Sequence, residues 1–252
     1  MLPMREAFSG IDGATARMDA LAGLHPGDIV SGRFLRVCGH TFDSALLSTG
    51  KYVIDLGAND GVFTRVISGR YGVKILAVEP NPALFERLPK EKSITPVAAA
   101  AGAQDGICRF KVEVDTEASR VIENSGDDAS IIEVPMLSPT RLLERCSGNR
   151  IALMKIDIEG QEIAVLDAMH DDQLLAVDQF SVEFHAFNHL VTQEAVERIV
   201  QRMRDLNFFC MDFSQSLTDV WLVHQRHAPS LVRQLALRGM RVQRGLFRRL
   251  QL

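Results

Sequence analysis

From residue 52 onward, short apolar runs alternate with amphipathic stretches, and the two periodicities take turns along the chain. The runs YVIDLG (52–57) and VKILAVEP (73–80) are β-rich and close on glycine or proline, which predicts buried strands. Between them, 61–72 puts Val62, Val66 and Ile67 on one helical face and stops at Gly72. A second helix is expected over 82–88, where Pro82 suits a first turn, and a third strand over 93–102. The segment 106–114 alternates apolar with polar residues, as a half-exposed strand does, and 115–130 is polar and turn-rich, as a surface loop is. The second half resumes with a helix over 138–146 capped by Ser138, a strand over 151–160 and a helix over 161–169. A strand over 177–185, an amphipathic helix over 192–206 capped by Thr192, and strands over 207–213 and 219–225 complete the series. Strand–helix alternation in this order predicts an α/β fold, a doubly wound and mostly parallel sheet with helices on both faces. The last two strands are close enough for a hairpin, which would add an antiparallel edge strand.

Three regions follow. Residues 1–50 lack this regularity and read as a partly helical arm; 51–226 form the domain; 227–252 form a basic tail. After Trp221 the chain has no acidic residue but carries Arg226, Arg233, Arg238, Arg241, Arg244, Arg248 and Arg249. Over 229–252, Leu231, Leu235, Val242, Leu246 and Leu250 share one helical side and arginines the other. Such a helix suits a membrane surface, an acidic partner, its own domain or a second copy of the chain. The net charge of −4 gives no global pointer to nucleic acid. The four cysteines, Cys38, Cys108, Cys146 and Cys210, have neither zinc-site nor C-x-x-C spacing. With no signal-peptide pattern at the start and no apolar run of ~18 residues, the expectation is a cytoplasmic protein.

The strongest chemical signal is DLGANDG, Asp55 to Gly61, between a strand and a helix. Gly57 lets the chain turn sharply off the strand, and Gly61 opens the helix where free N–H groups face the loop. This is the carboxyl edge of the sheet, where α/β folds bind ligands. The spacing D-x-G-x-x-x-G is not the G-x-G-x-x-G of a dinucleotide loop. An aspartate entering the loop disfavours a diphosphate and favours a cationic ligand such as S-adenosyl-L-methionine, with its ammonium and sulfonium. Glu79 ends the next strand, where an acceptor-only carboxylate can take both ribose hydroxyls, and Asn81 can add a contact near the adenine. The expected cofactor set is Asp55, Gly57, Ala58, Asn59, Gly61, Glu79, Pro80 and Asn81. An NAD(P)-binding oxidoreductase is the first rival, since it too uses an acid on ribose; a non-catalytic partner protein that kept the fold is the second.

DLGANDG, VEPNP, AAGAQDG, LMKIDIEGQE and VEFH, in this order, resemble the FkbM family of methyltransferases from about Tyr52 to about Val223. The resemblance implies a seven-stranded Rossmann-like fold, S-adenosyl-L-methionine, and O-methylation of a hydroxyl on a sugar, glycan or secondary metabolite. It places Asp55, Gly57, Asn59, Gly61 and Glu79 on cofactor positions, and Asp157, Glu159, Glu183 and His185 on the substrate side. One departure is MLSPTRLL, with Ser138 and Pro139 where the family often has Leu-Asp. A hydroxyl is a weak nucleophile and needs help to lose its proton. His185, with an ordinary pKa near neutrality, is the expected general base, oriented by Glu183 or Asp157. Lys155 and Asp157 offer the alternative of a structural ion pair. Asp157, Glu159 and Glu183 would suit Mg²⁺ by donor type, but no further acid is placed to complete a shell, so no metal is assigned.

Overall fold

The structure, a computed structural model, describes residues 29–31, 33–113, 119–122, 130–146, 148, 150–186, 189–214, 217–230, 234 and 237. It opens with a small antiparallel sheet, β1 (Ile29–Ser31), β2 (Phe34–Val37) and β3 (His40–Asp43), paired in that order. The described residues of 29–50 are these strands, the turns between them and a 3₁₀ turn at Ser44–Leu46, with no α-helix among them, where the arm was read as partly helical. The alternation in FLRV and HTFD is too short to stand out against the surrounding glycines and polar residues. Residues 1–28 of that arm lie outside the described residues.

The regular alternation then begins with β4 (Tyr52–Leu56), α1 (Val62–Tyr71), β5 (Lys74–Val78), α2 (Pro82–Phe85) and β6 (Ile94–Val97). A side sheet follows, made of β7 (Ala100–Ala101), β8 (Gly106–Lys111), β9 (Arg120–Ile122) and β10 (Ile131–Leu137), ordered β7-β10-β8-β9. The chain resumes with α3 (Pro139–Glu144), β11 (Ile151–Ile156), α4 (Glu162–Ala168), α5 (Asp171–Leu175), β12 (Gln179–Glu183), α6 (Gln193–Asp205), β13 (Phe208–Asp212) and β14 (Asp219–His224). The main sheet is seven-stranded and mostly parallel, in the order β13-β14-β12-β11-β4-β5-β6. The fold is thus mixed α/β, as expected.

Three expectations need correction. The predicted strand over 93–102 is two: β6 in the main sheet and β7 in the side sheet, with Val97, Ala99 and Ala101 all buried across the break. Part of the predicted loop over 115–130 is β9, paired with β8, while 114–118 and 123–129 lie outside the described residues. The antiparallel strand is not at the edge. It is β14, inserted between β12 and β13 and antiparallel to both. Hydrophobicity explains the order: β14 is buried along nearly its whole length, whereas β13 is buried at only two of its five positions, so the more apolar strand goes inside.

Burial follows strand alternation. Ile54, Leu56, Met154, Ile156, Phe180 and Val182 join one core with Val165 of α4 and Ile199 of α6. Val53, Ile75, Ala77 and Leu153 join a second core with Phe63 and Ile67 of α1. Neighbouring residues on a strand point to opposite faces, so both faces of the main sheet are covered. Of the basic tail, Leu237 is buried against Phe34, Leu46, Trp221 and Val223, and nearly all the rest lies outside the described residues. No helix among the described residues is long and apolar enough to cross a membrane.

The N-terminal sheet is clamped to the main one through Gln179. Its Oε1 accepts from Asp43 N at 2.9 Å and from Trp221 Nε1 at 2.8 Å, and its Nε2 donates to Asp43 O at 3.0 Å. Gln179→Ala is expected to strand these three buried groups and to cost about 2–4 kcal/mol in urea unfolding. An unchanged midpoint would mean that the hairpin is held elsewhere.

Candidate functional site

β4, β5, β11 and β12 are parallel neighbours, so the loops that leave them meet at one edge. Backbone bonds lace those loops together: Gly57 N and Ala58 N both donate to Val78 O, and Asp157 N donates to Leu56 O. Gly57 has φ +76°, and a Cβ there would lie 1.8 Å from the Asp157 carbonyl oxygen. Its missing side chain therefore makes room for the neighbouring β11 backbone. Asn59, on the same turn, takes φ 52°, a left-handed conformation that asparagine tolerates.

Glu79 is the organiser of this turn. It is 5% exposed, and its two oxygens accept from Asn59 N and Asn81 N, both at 2.8 Å. Burial pushes its pKa up, against the pull of those two N–H groups. Asn81 caps α2 by accepting from Ala83 N, and its own Nδ2 is buried without a partner among the described residues. Pro80 lies between them, half-buried; Ala58 and Gly61 are buried.

Asp55 does not open onto the turn. Its carboxylate is fully buried, accepts from Thr64 Oγ1 at 2.6 Å and pairs with Lys155 Nζ at 3.3 Å. Lys155 sits opposite Asp55 in the β4–β11 register, which motif spacing cannot reveal. Its ammonium also donates to Gly57 O at 2.6 Å and lies 3.4 Å from Asp157 Oδ2. Burial acts against that charge, but Asp55 and Asp157 outweigh it and hold the pKa above its usual value. The negative charge expected to attract a cation to the turn is thus already matched by a fixed internal cation.

The substrate-side residues do come together, in an order the sequence does not suggest. His185 is buried; its Nδ1 lies 2.8 Å from Glu162 Oε1, and its Nε2 faces Glu159 Oε1 at 3.2 Å and Asp157 Oδ1 at 3.7 Å. The orienting carboxylate is Glu162, where Glu183 or Asp157 was expected. Glu162 begins α4, is fully buried, and its Oε1 also accepts from Ile158 N and Gly160 N. Burial disfavours a charged His185, but hydrogen bonds and charges from Glu159 and Glu162 prevail and raise its pKa to about 10. In the resting site the ring therefore already carries the proton that a general base should accept. Asp157 is held well below the usual carboxylate range: burial would raise it, but Lys155, His40 and His185 overcome that.

His40 of β3 is the residue that no sequence signal could have found. It lies outside every motif, yet its Nε2 is 3.2 Å from Asp157 Oδ2 and its Nδ1 is 3.3 Å from Ser181 Oγ. Glu162, by contrast, is signalled as an acid in the first turn of the helix after KIDIEG.

Two outcomes are expected here. Lys155→Met leaves two carboxylates without their counter-charge and should cost about 3–5 kcal/mol in thermal or urea unfolding. The His185 pKa rises from 6.5 to about 10 on folding, so its stabilisation is fully present below pH 6.5 and is lost as pH climbs through 10. The melting-temperature gap between the parent protein and His185→Gln should accordingly shrink from neutral to alkaline pH. A gap that widens would reverse the protonation assignment.

The methyltransferase FkbM domain family matches residues 55–210. Over 52% of its length the chain is 27% identical to the hexuronic acid methyltransferase AglP of Haloferax volcanii, covering 55% of that protein. Over 56% of its length it is 25% identical to Methyltransferase 1 of Beauveria bassiana, covering 68% of that protein. The chain thus spans just over half the length of the first relative.

Proposed function

The chain belongs to the FkbM methyltransferase family, and from that premise we propose that it is an S-adenosyl-L-methionine-dependent O-methyltransferase acting on a sugar, glycan or secondary metabolite. The doubly wound Rossmann-like frame is part of the same reading, supported by cores on both faces of the sheet. The observation that carries it is Lys155. One ammonium contacts both the turn at Gly57 and the acid at Asp157, so a cofactor edge and a substrate edge adjoin.

The residues on the turn suit the cofactor. Each Glu79 oxygen accepts one backbone N–H and keeps a lone pair for a ribose hydroxyl, and the orphaned Asn81 Nδ2 offers a donor for a base nitrogen. When bound, S-adenosyl-L-methionine supplies the methyl group. Asp55 acts from behind, through Lys155 and Thr64, by fixing the strand end from which the turn departs. On the acceptor side, a hydroxyl held about 3 Å from the methyl carbon gains much of its rate from alignment alone. When the substrate displaces Glu159, the Nε2 proton leaves to solvent, since one contact that keeps the ring charged is gone, and the vacated Nε2 then accepts the hydroxyl proton. Glu162 stays on Nδ1 and holds the ring in place. The hexuronic acid relative supports a sugar-like acceptor over an amine.

The direct test pairs calorimetry with turnover. S-adenosyl-L-methionine should bind and NAD should not, and a panel of glycans and hydroxylated metabolites should reveal an acceptor by mass gain. His185→Ala should keep cofactor affinity and lose turnover by about 100-fold or more. In the parent enzyme, kcat should keep rising above pH 8 as the neutral ring becomes populated. Full turnover in His185→Ala would remove the base assignment, and NAD binding alone would remove the methyltransferase reading.

A further inference from the structure

The acids at this edge lack one ligand by sequence, and the fold brings it from the N-terminal hairpin. A ring nitrogen of His40 and carboxylate oxygens of Asp157 and Glu183 all lie within 4.8 Å of one another. We propose that His40, Asp157 and Glu183 form a divalent-cation site, and that the cation takes substrate oxygens beside the accepting hydroxyl. The site stands on this geometry; its use in substrate binding rests on the methyl-transfer reading above.

The first support is the setting of His40. The ring is 1% exposed, lies edge-on to Phe63 with centroids 6.0 Å apart, and has Ser181 Oγ 3.3 Å from Nδ1. With the Nδ1 proton donated to Ser181, the Nε2 lone pair turns toward the carboxylates, as in a metal-ligating histidine whose second nitrogen is held by a neighbour. In that tautomer Nε2 and Asp157 Oδ2, 3.2 Å apart, are two acceptors that a cation can bridge; in the other, Nε2–H donates to Asp157, and the cation takes the place of that proton.

The second support is Glu183. It is half-buried at the end of β12, yet it has no hydrogen-bond or ion-pair partner among the described residues. Gly39 flanks it: a Cβ there would lie only 3.8 Å from Glu183 Oε2. The third is Asp219, opposite Glu183 in the β12–β14 register and 8% exposed. Neither of its oxygens accepts a hydrogen bond from the described residues, and its ion-pair partner among them is Arg36 Nη2 at 3.3 Å. Asp219 is buried and Asp157 and Glu183 are half-buried, so three carboxylates lie close together with few donors, and a cation would offset their mutual repulsion. Lys155 is already shared among Asp55, Gly57 and Asp157.

One imidazole with carboxylates suits Mn²⁺ or a similar first-row divalent ion, with open positions left for substrate. A vicinal diol or a hydroxy acid offers two oxygens at the right spacing to chelate it. The bound cation would lower the pKa of a coordinated hydroxyl.

The test is Mn²⁺ titration of the full chain, read as loss of the free-ion electron paramagnetic resonance signal. The parent protein should show saturable uptake, weakened about 10-fold or more in Glu183→Gln and in His40→Gln. Because Glu183 makes no hydrogen bond with the described residues, its glutamine variant should melt like the parent, which separates lost binding from lost folding. Glu159→Gln, on the other side of Asp157, should leave uptake unchanged. No uptake by the parent, equal uptake by Glu183→Gln, or a loss confined to Glu159→Gln would overturn the site. Methyl transfer that survives exhaustive chelation in a protein taking up no Mn²⁺ would discard the cation alone. Uptake without any methyl transfer would support the site and discard the enzyme reading.

Discussion

A single buried ammonium holds the functional edge together. Lys155 rises from the central strand β11 and reaches Asp55 on β4, the carbonyl of Gly57 on the first loop, and Asp157 on its own loop. Taking a lysine out of water is costly, and only closely placed acceptors offset that cost. The loops after β4 and β11 are therefore not independent. Any shift of one changes the solvation of a charge that the other also uses.

Much of this frame was legible before any coordinates. Strand–helix alternation, the glycine and proline stops and the caps at Ser138 and Thr192 follow from local physics, and so do the elements they bound. What was not legible depends on pairing across the sheet. Lys155 meets Asp55 through register, His40 meets Asp157 across 117 residues of chain, and the burial of β14 decides that it goes inside its hairpin partner. The role of Asp55 illustrates the limit. Its place in the motif points to a ligand, while its surroundings make it the anchor of a lysine. His185 shows the same limit for acidity, because an ordinary histidine pKa ceases to apply once Glu159 and Glu162 close on both ring nitrogens.

The N-terminal hairpin changes what counts as the candidate site. The family match begins at Asp55, yet His40 contacts the acid at the centre of the site, and Gln179 locks the hairpin to the strand beside it. A fragment trimmed to the matched region would keep the turn and the acids but lose one of the two histidines that contact Asp157. The side sheet β7–β10, by contrast, makes its own small core around Phe110 and Val134, and none of its described residues enters this cluster.

The collision that a methyl group at position 57 would meet with the β11 backbone has a consequence for how this protein should be probed. Alanine scanning of the turn would register position 57 as indispensable for cofactor capture even if nothing ever touched it. The damage would come from wedging two adjacent strands apart. Side chains that line the turn without bearing on the sheet, Asn59 foremost, are the ones whose replacement would report on recognition and not on architecture.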